Sequence, residues 1–158
     1  MPKNNRLLTI STAMFSSLTM ALTINVQPSS SSPSYLCQDA IQSVRSQIQT
    51  GRNLEVLPTI KRNVSTGYTD APIGRPDEYV IPLRGAESLN ILSSPQMMTT
   101  LARQIISQCA NVSLVTFGIA NSGNIVSLGL MPDGGILIFN CIEPGRGLRP
   151  RWGQIVCT

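Results

Sequence analysis

Three textures of hydrophobic and polar residues succeed one another along this chain. Leu7 to Val26 carries no charged residue and follows a short polar start containing Lys3 and Arg6. Next comes helical spacing. Cys37, Ile41, Val44 and Ile48 recur at intervals that fall on one helix face, and Ser34 before them and Gly51 after them predict a helix over Tyr35 to Thr50. Met97, Leu101, Ile105 and Cys109 repeat every four residues, with Met98, Ala102 and Ile106 widening the stripe. Ser94 is placed to cap this second helix, Pro95 suits its first position, and Asn111 suits a left-handed exit.

The third texture is strand-like. Val112 to Cys141 predicts a three-stranded meander, turning at Asn121-Ser122-Gly123-Asn124 and at Pro132-Asp133-Gly134-Gly135. The expected register sets Val115 beside Leu130, Phe117 beside Leu128 and Ile119 beside Val126. In the next hairpin it sets Leu130 beside Leu137, Leu128 beside Phe139 and Val126 beside Cys141. Large apolar residues then share one face for the second helix to cover. The other face carries Thr116, Gly118, Ser127 and Gly129, with Met131, Ile136 and Ile138 at its margin. Small residues there predict a segment packed closely on the sheet, or else a groove for a ligand or a partner's strand.

Upstream, Glu55 to Tyr68 and Glu78 to Leu83 read as two strands joined by the turn-rich run through Asp70, Pro72, Gly74 and Pro76. Pro82 cannot donate to a ladder, so the second of these is expected at a sheet edge. The fold class is therefore α+β. Two helices are expected on an antiparallel sheet of about five strands, in the order α-β-β-α-β-β-β, stapled by disulfides.

The opening texture decides the compartment. A basic start, an uncharged middle and a polar exit are the layout of a secretory signal peptide over residues 1–26. Thr19 and Ala21 supply the small residues for cleavage after Ala21 or a few positions later. Threonines and serines dilute the run, which makes it a poor permanent anchor. Cys37 follows Tyr35 and Leu36, which does not suit a lipid-modified cysteine. Residues 27–34, with five serines and two prolines, form a flexible tether, and 35–158 a single domain. Loss of Lys3 and Arg6 lowers the net charge from +4 to +2. So modest a balance, outside the cytoplasm, speaks against nucleic acid as a partner.

Export places Cys37, Cys109, Cys141 and Cys157 where disulfides persist. Cys109 and Cys141 fall at opposite ends of a three-stranded up-down-up meander, about 23 Å apart, whereas bridged Cα atoms lie about 5.5 Å apart. Of the two connectivities left, Cys37 with Cys109 and Cys141 with Cys157 is preferred. The first ties antiparallel helices together and the second pins the irregular tail. No Cys-x-x-Cys spacing exists, and the chain contains no histidine, so neither a zinc site nor a histidine-based hydrolase is expected. No cofactor is expected.

Arg146, Arg149, Arg151 and Trp152 make the only basic, aromatic cluster, among Gly145, Gly147 and Pro150. Trp152 is expected to fold onto the core and complete it; the sharper alternative is a planar-donor site for carboxylate, sulfate or phosphate groups. The eight acidic residues give no obvious catalytic pair, because adjacent Asp77 and Glu78 in a strand point to opposite faces. Asn63-Val64-Ser65 and Asn111-Val112-Ser113 match the glycosylation sequon.

Val115-Thr116-Phe117-Gly118, Gly129-Leu130-Met131-Pro132-Asp133-Gly134, Cys141 and Arg149-Pro150-Arg151-Trp152-Gly153, together with Gly74-Arg75-Pro76, carry a resemblance. The chain resembles short exported proteins of cyanobacterial type with no assigned activity. That resemblance implies export and a small disulfide-bearing domain, and brings no catalytic residues with it. The expectation is a non-enzymatic exported domain that binds an anionic envelope polymer or a protein, with no membrane span once the leader is cleaved. Alternatives are a histidine-free, carboxylate-driven glycan hydrolase and a secreted protease inhibitor presenting Asp70 to Pro76.

Overall fold

The computed structural model describes residues 33–143, 145 and 149–157, without the Pro33 side chain. The expected leader, residues 27–32 of the tether and Arg146 lie outside the described residues.

Helix α1 (Pro33–Gln49) opens the fold. Its start falls at Pro33 and not after Ser34, because proline's fixed φ and missing N–H suit the first turn better than the serine hydroxyl suits a cap. Gly51, at φ 71°, supplies the left-handed stop. Arg52 completes that end by donating Nη1 to the carbonyls of Gln47 and Ile48.

Strands β1 (Glu55–Val56) and β2 (Ile60–Asn63) replace one expected long strand. Leu57-Pro58-Thr59 interrupts it, and both pieces pair antiparallel with β3 (Asp77–Arg84). A five-residue helix α2 (Ser88–Leu92), not foreseen from the pattern, precedes α3 (Pro95–Gln108). In α3, Ser94 is the N-cap without a side-chain bond, and Pro95 opens the helix. The exit runs through an extended Cys109. The one non-glycine residue with positive φ among those described is Asn121, not Asn111.

The sheet is mixed, which corrects the antiparallel expectation. Its path is β1-β3-β4-β5-β6, with β2 also on β3, where β4 is Val112–Ile119, β5 Ile125–Leu130 and β6 Ile136–Ile138. Strand β3 pairs parallel with β4. A 14-residue helix spans about 21 Å, close to the length of strand it crosses, so α3 returns the chain to the end where β3 began. This also corrects the edge position given to the Pro82 strand. The Pro82 carbonyl accepts from Leu57 N at 2.9 Å, so its donor-less nitrogen faces the break between β1 and β2, where the ladder is already interrupted.

Both hairpin registers differ from expectation, by different amounts. Val115 pairs Leu128 and Phe117 pairs Val126, two positions from the expected partners. Asn121 at φ 61° centres the turn one residue earlier, and a two-position shift leaves every side chain on its expected face. In the second hairpin Leu130 pairs Ile136 and Leu128 pairs Ile138. Pro132-Asp133-Gly134 is a three-residue loop with Gly134 at φ 83°, closed by Met131 N donating to Gly135 O. The odd loop length turns β6 over. Ile136 joins the helix-covered face, and Phe139 goes to the other.

That inversion gives the domain two cores. On one face, α1 and α3 cover Ile81, Leu83, Val115, Phe117, Leu128 and Ile136. Each large buried side chain there contributes about 1.5–3 kcal/mol. Cys37 and Cys109 are bridged, joining the start of α1 to the end of α3, so the two helices run antiparallel. On the other face Val64, Leu114, Phe139 and Trp152 form a smaller cluster with Tyr68, Ala71, Met131 and Ile155 packed on it. Beyond Phe139, β7 (Asn140–Ile142) and β8 (Gln154–Val156) pair in parallel, and Cys141–Cys157 bridges them. No helix of the described residues is long and apolar enough to cross a membrane.

Candidate functional site

The second face is where small residues, the tail and the turn-rich loop meet. Gly129 makes it possible. A Cβ there would lie 2.3 Å from Phe139 Cε1 and 3.1 Å from Trp152 Cζ2, so the two rings rest directly on the bare backbone. The small-residue stripe is thus a seat for this chain's own side chains, the first of the two expected uses. Phe139, Trp152 and Tyr68 meet edge to face in all three pairs, with centroids 4.9–5.8 Å apart. Edge-to-face pairs add about 0.5–1.5 kcal/mol each beyond area burial.

Hydrogen bonds fix the tail over this cluster. Trp152 donates its backbone N–H to Asp70 Oδ1 at 2.6 Å and its indole Nε1–H to Leu130 O at 2.8 Å. Thr69 N donates to Pro150 O, and Arg149 Nη1 to Thr66 O at 2.9 Å. Of the expected basic cluster, therefore, Trp152 is buried and completes a core, and Arg149 ties the tail to the loop. Arg151 is exposed and has no ion-pair partner among the described residues.

The loop is held as firmly at its other end. Arg75 Nη1 donates to Ile106 O and Val112 O, placing a cation on the last turn of α3 where carbonyls lack helical partners. Between these anchors Pro72-Ile73-Gly74-Arg75 turns, with Gly74 at φ 79° and Arg75 N donating to Pro72 O at 3.4 Å. Positive φ at the third position suits a type II turn. Ile73 stands at its tip, fully exposed. Between this turn and Leu130-Met131-Pro132 lies a mostly apolar groove of about 470 Å³, with Trp152 in its lining and Asp70 and Arg75 as its charged residues.

A buried polar cluster continues the same face. Thr116 Oγ1 donates to Glu78 Oε1 at 2.6 Å and lies 2.7 Å from Ser127 Oγ. Burial pushes the Tyr68 phenol up to about 12, with the Glu78 charge adding to the effect. Asp77 points to the opposite face, as strand alternation requires, and pairs with Lys61 Nζ at 2.8 Å. The hydrogen bond from Lys61 to Asp77 raises the lysine above its usual range. These two line a smaller cavity of about 290 Å³ with Tyr79, Asn111 and the Cys37–Cys109 bridge. Among the described residues no group of three cysteines or acids is gathered to hold a metal ion.

Sequence reasoning missed Tyr68 and Phe139 as parts of this site, and it offered the Asp70 to Pro76 loop, with Ile73 in it, only as an inhibitor's presented segment and not as a wall of a groove over Trp152. One signal was present for Phe139: reading Pro-Asp-Gly as a three-residue loop would have turned β6 over and sent Phe139 to the Trp152 side. No protein family model matches the chain, nor does any curated protein or solved structure.

Proposed function

We propose that this is an exported, non-catalytic binding protein of the cell envelope or extracellular space, and that the groove over Trp152 is its contact surface. Two disulfides and no free cysteine among the described residues fit an oxidising compartment. In this reading the leader over residues 1–26 is removed and the tether frees the domain. The observation that carries the proposal is a fully exposed Ile73, held on a pinned turn beside an apolar groove lined by Trp152. An exposed apolar residue on a rigid scaffold spends little entropy on binding. The ligand would seat an apolar group between Ile73 and Trp152 and bring carboxylate, sulfate or phosphate groups to Arg151.

The alternatives fit less well. Each of the two cavities described holds a single carboxylate, Asp70 in one and Asp77 in the other, whereas a glycan hydrolase needs a facing pair. A substrate-like protease inhibitor must present an extended segment, and the Gly74 turn folds the loop back on itself. Retention on an immobilised acidic polysaccharide in low salt tests the proposal. Ile73→Ser and Arg151→Ala should each elute at lower salt with unchanged stability. Unaltered elution of both variants would remove this surface from consideration.

A further inference from the structure

The two disulfides differ in how a thiol can reach them. Exchange requires a thiolate to attack one sulfur while the other departs as a thiolate. In the Cys37–Cys109 bridge the accessible sulfur and the good leaving group are the same atom. Cys37 is half-buried near the start of α1, whereas Cys109 is 2 % exposed, packed in the main core at the negative end of α3. Attack on Cys37 would expel a thiolate into that unfavourable place, and Cys109, although it borders the cavity of about 290 Å³, is itself only 2 % exposed to an attacking thiolate. Both routes are disfavoured.

The other bridge has neither protection. Cys141 is exposed on β7 and Cys157 half-buried after β8, in a parallel pair only three residues long. What it closes is the segment that contains Trp152, since its cysteines lie 16 positions apart on either side. We propose that Cys141–Cys157 is a thiol-exchange site, and that opening it loosens the tail that carries Trp152. The step balances with an external dithiol. Its thiolate attacks Cys141 Sγ to form a mixed disulfide, and Cys157 leaves as a thiolate that takes a proton from water. The second thiol then closes on the mixed disulfide and frees Cys141. The dithiol is oxidised to its cyclic disulfide and the bridge is reduced to two thiols.

The consequence follows from chain entropy. Closing a loop of this length restricts the open ensemble, so cutting it raises the population of the undocked tail on the order of 100-fold. The main core keeps its own bridge and stays folded. As regulation of the groove, this rests on the binding reading above; as chemistry, it does not.

The test uses the oxidised protein and graded dithiothreitol, trapping thiols by alkylation and mapping them by mass. Cys141 and Cys157 should be alkylated while Cys37 and Cys109 stay bridged. In that species the Trp152 backbone N–H should lose hydrogen-exchange protection on the order of 100-fold, with helical circular dichroism retained. Paired Cys141→Ser and Cys157→Ser substitutions should reproduce the loss without reductant. Cys37–Cys109 opening first or together with the other bridge overturns the proposal, as does unchanged protection at Trp152. Polysaccharide retention separates the two claims. Oxidised protein that fails to bind sinks the groove reading alone, and equal binding before and after selective reduction sinks the regulatory role alone.

Discussion

Replacing Gly129 by alanine should damage the second core far more than its single added methyl suggests. The new Cβ would sit 2.3–2.4 Å from two carbons of the Phe139 ring and 3.1 Å from Trp152. Ordinary carbon contacts lie at about 3.5–4.0 Å, so Phe139 must retreat by more than about 1 Å and push Trp152 with it. Each ring buries about 150–250 Å², and uncovering about a third of their joint area at about 25 cal/mol per Å² costs about 3 kcal/mol. That lies at the upper end of overpacking penalties, about 1–3 kcal/mol. For a domain of this size it lowers the melting temperature by about 10 °C. Chemical denaturation followed by the emission of the single tryptophan reads both stability and local environment. The control is Gly67→Ala, whose Cβ would meet only Val64 O at 3.5 Å. If Gly129→Ala stayed within about 0.5 kcal/mol of the parent with unshifted emission, the rings would not rest on that glycine.

Other expectations follow from the same geometry. Thr116→Val removes the hydroxyl between Glu78 and Ser127 and leaves a buried carboxylate short of a donor, which should cost about 1.5–3 kcal/mol by urea denaturation. Tyr68 has a folded-state value of about 12 against 10.0 for the free phenol. Its contribution is therefore complete below pH 10.0 and is lost as pH rises towards about 12; Tyr68→Phe should flatten this alkaline fall in stability. Lys61→Met breaks the 2.8 Å pair with Asp77, yet the lysine side chain is 55 % exposed, so the measured loss should stay below about 1 kcal/mol. Removing Cys37–Cys109 by paired serine substitution opens a loop of 72 positions and should destabilise the domain by about 4–5 kcal/mol in thermal unfolding.

Local chemistry was legible in the sequence wherever one residue decided the outcome. Pro95 set the start of α3, Gly51 the end of α1, and the spacing of apolar residues on both helices named the residues that fill the main core. The sheet was harder to read because its arrangement depends on loops. Nothing in β3 or β4 records that α3 carries the chain back to pair them in parallel. The first hairpin kept its faces because its error was two positions, whereas the second changed faces because its loop has three residues and not two. Phe139 was lost to the wrong side for that reason alone. The groove over Trp152 was not legible, since it joins Asp70, Leu130 and Trp152 from distant parts of the chain.

Export to an oxidising space underlies the account, and intact mass of the protein recovered from its native cells tests it most directly. The account predicts a polypeptide lacking the leader within residues 1–26 and four hydrogens lighter than its reduced form, with Cys37, Cys109, Cys141 and Cys157 all bridged. A full-length chain with alkylatable thiols at those positions would contradict it.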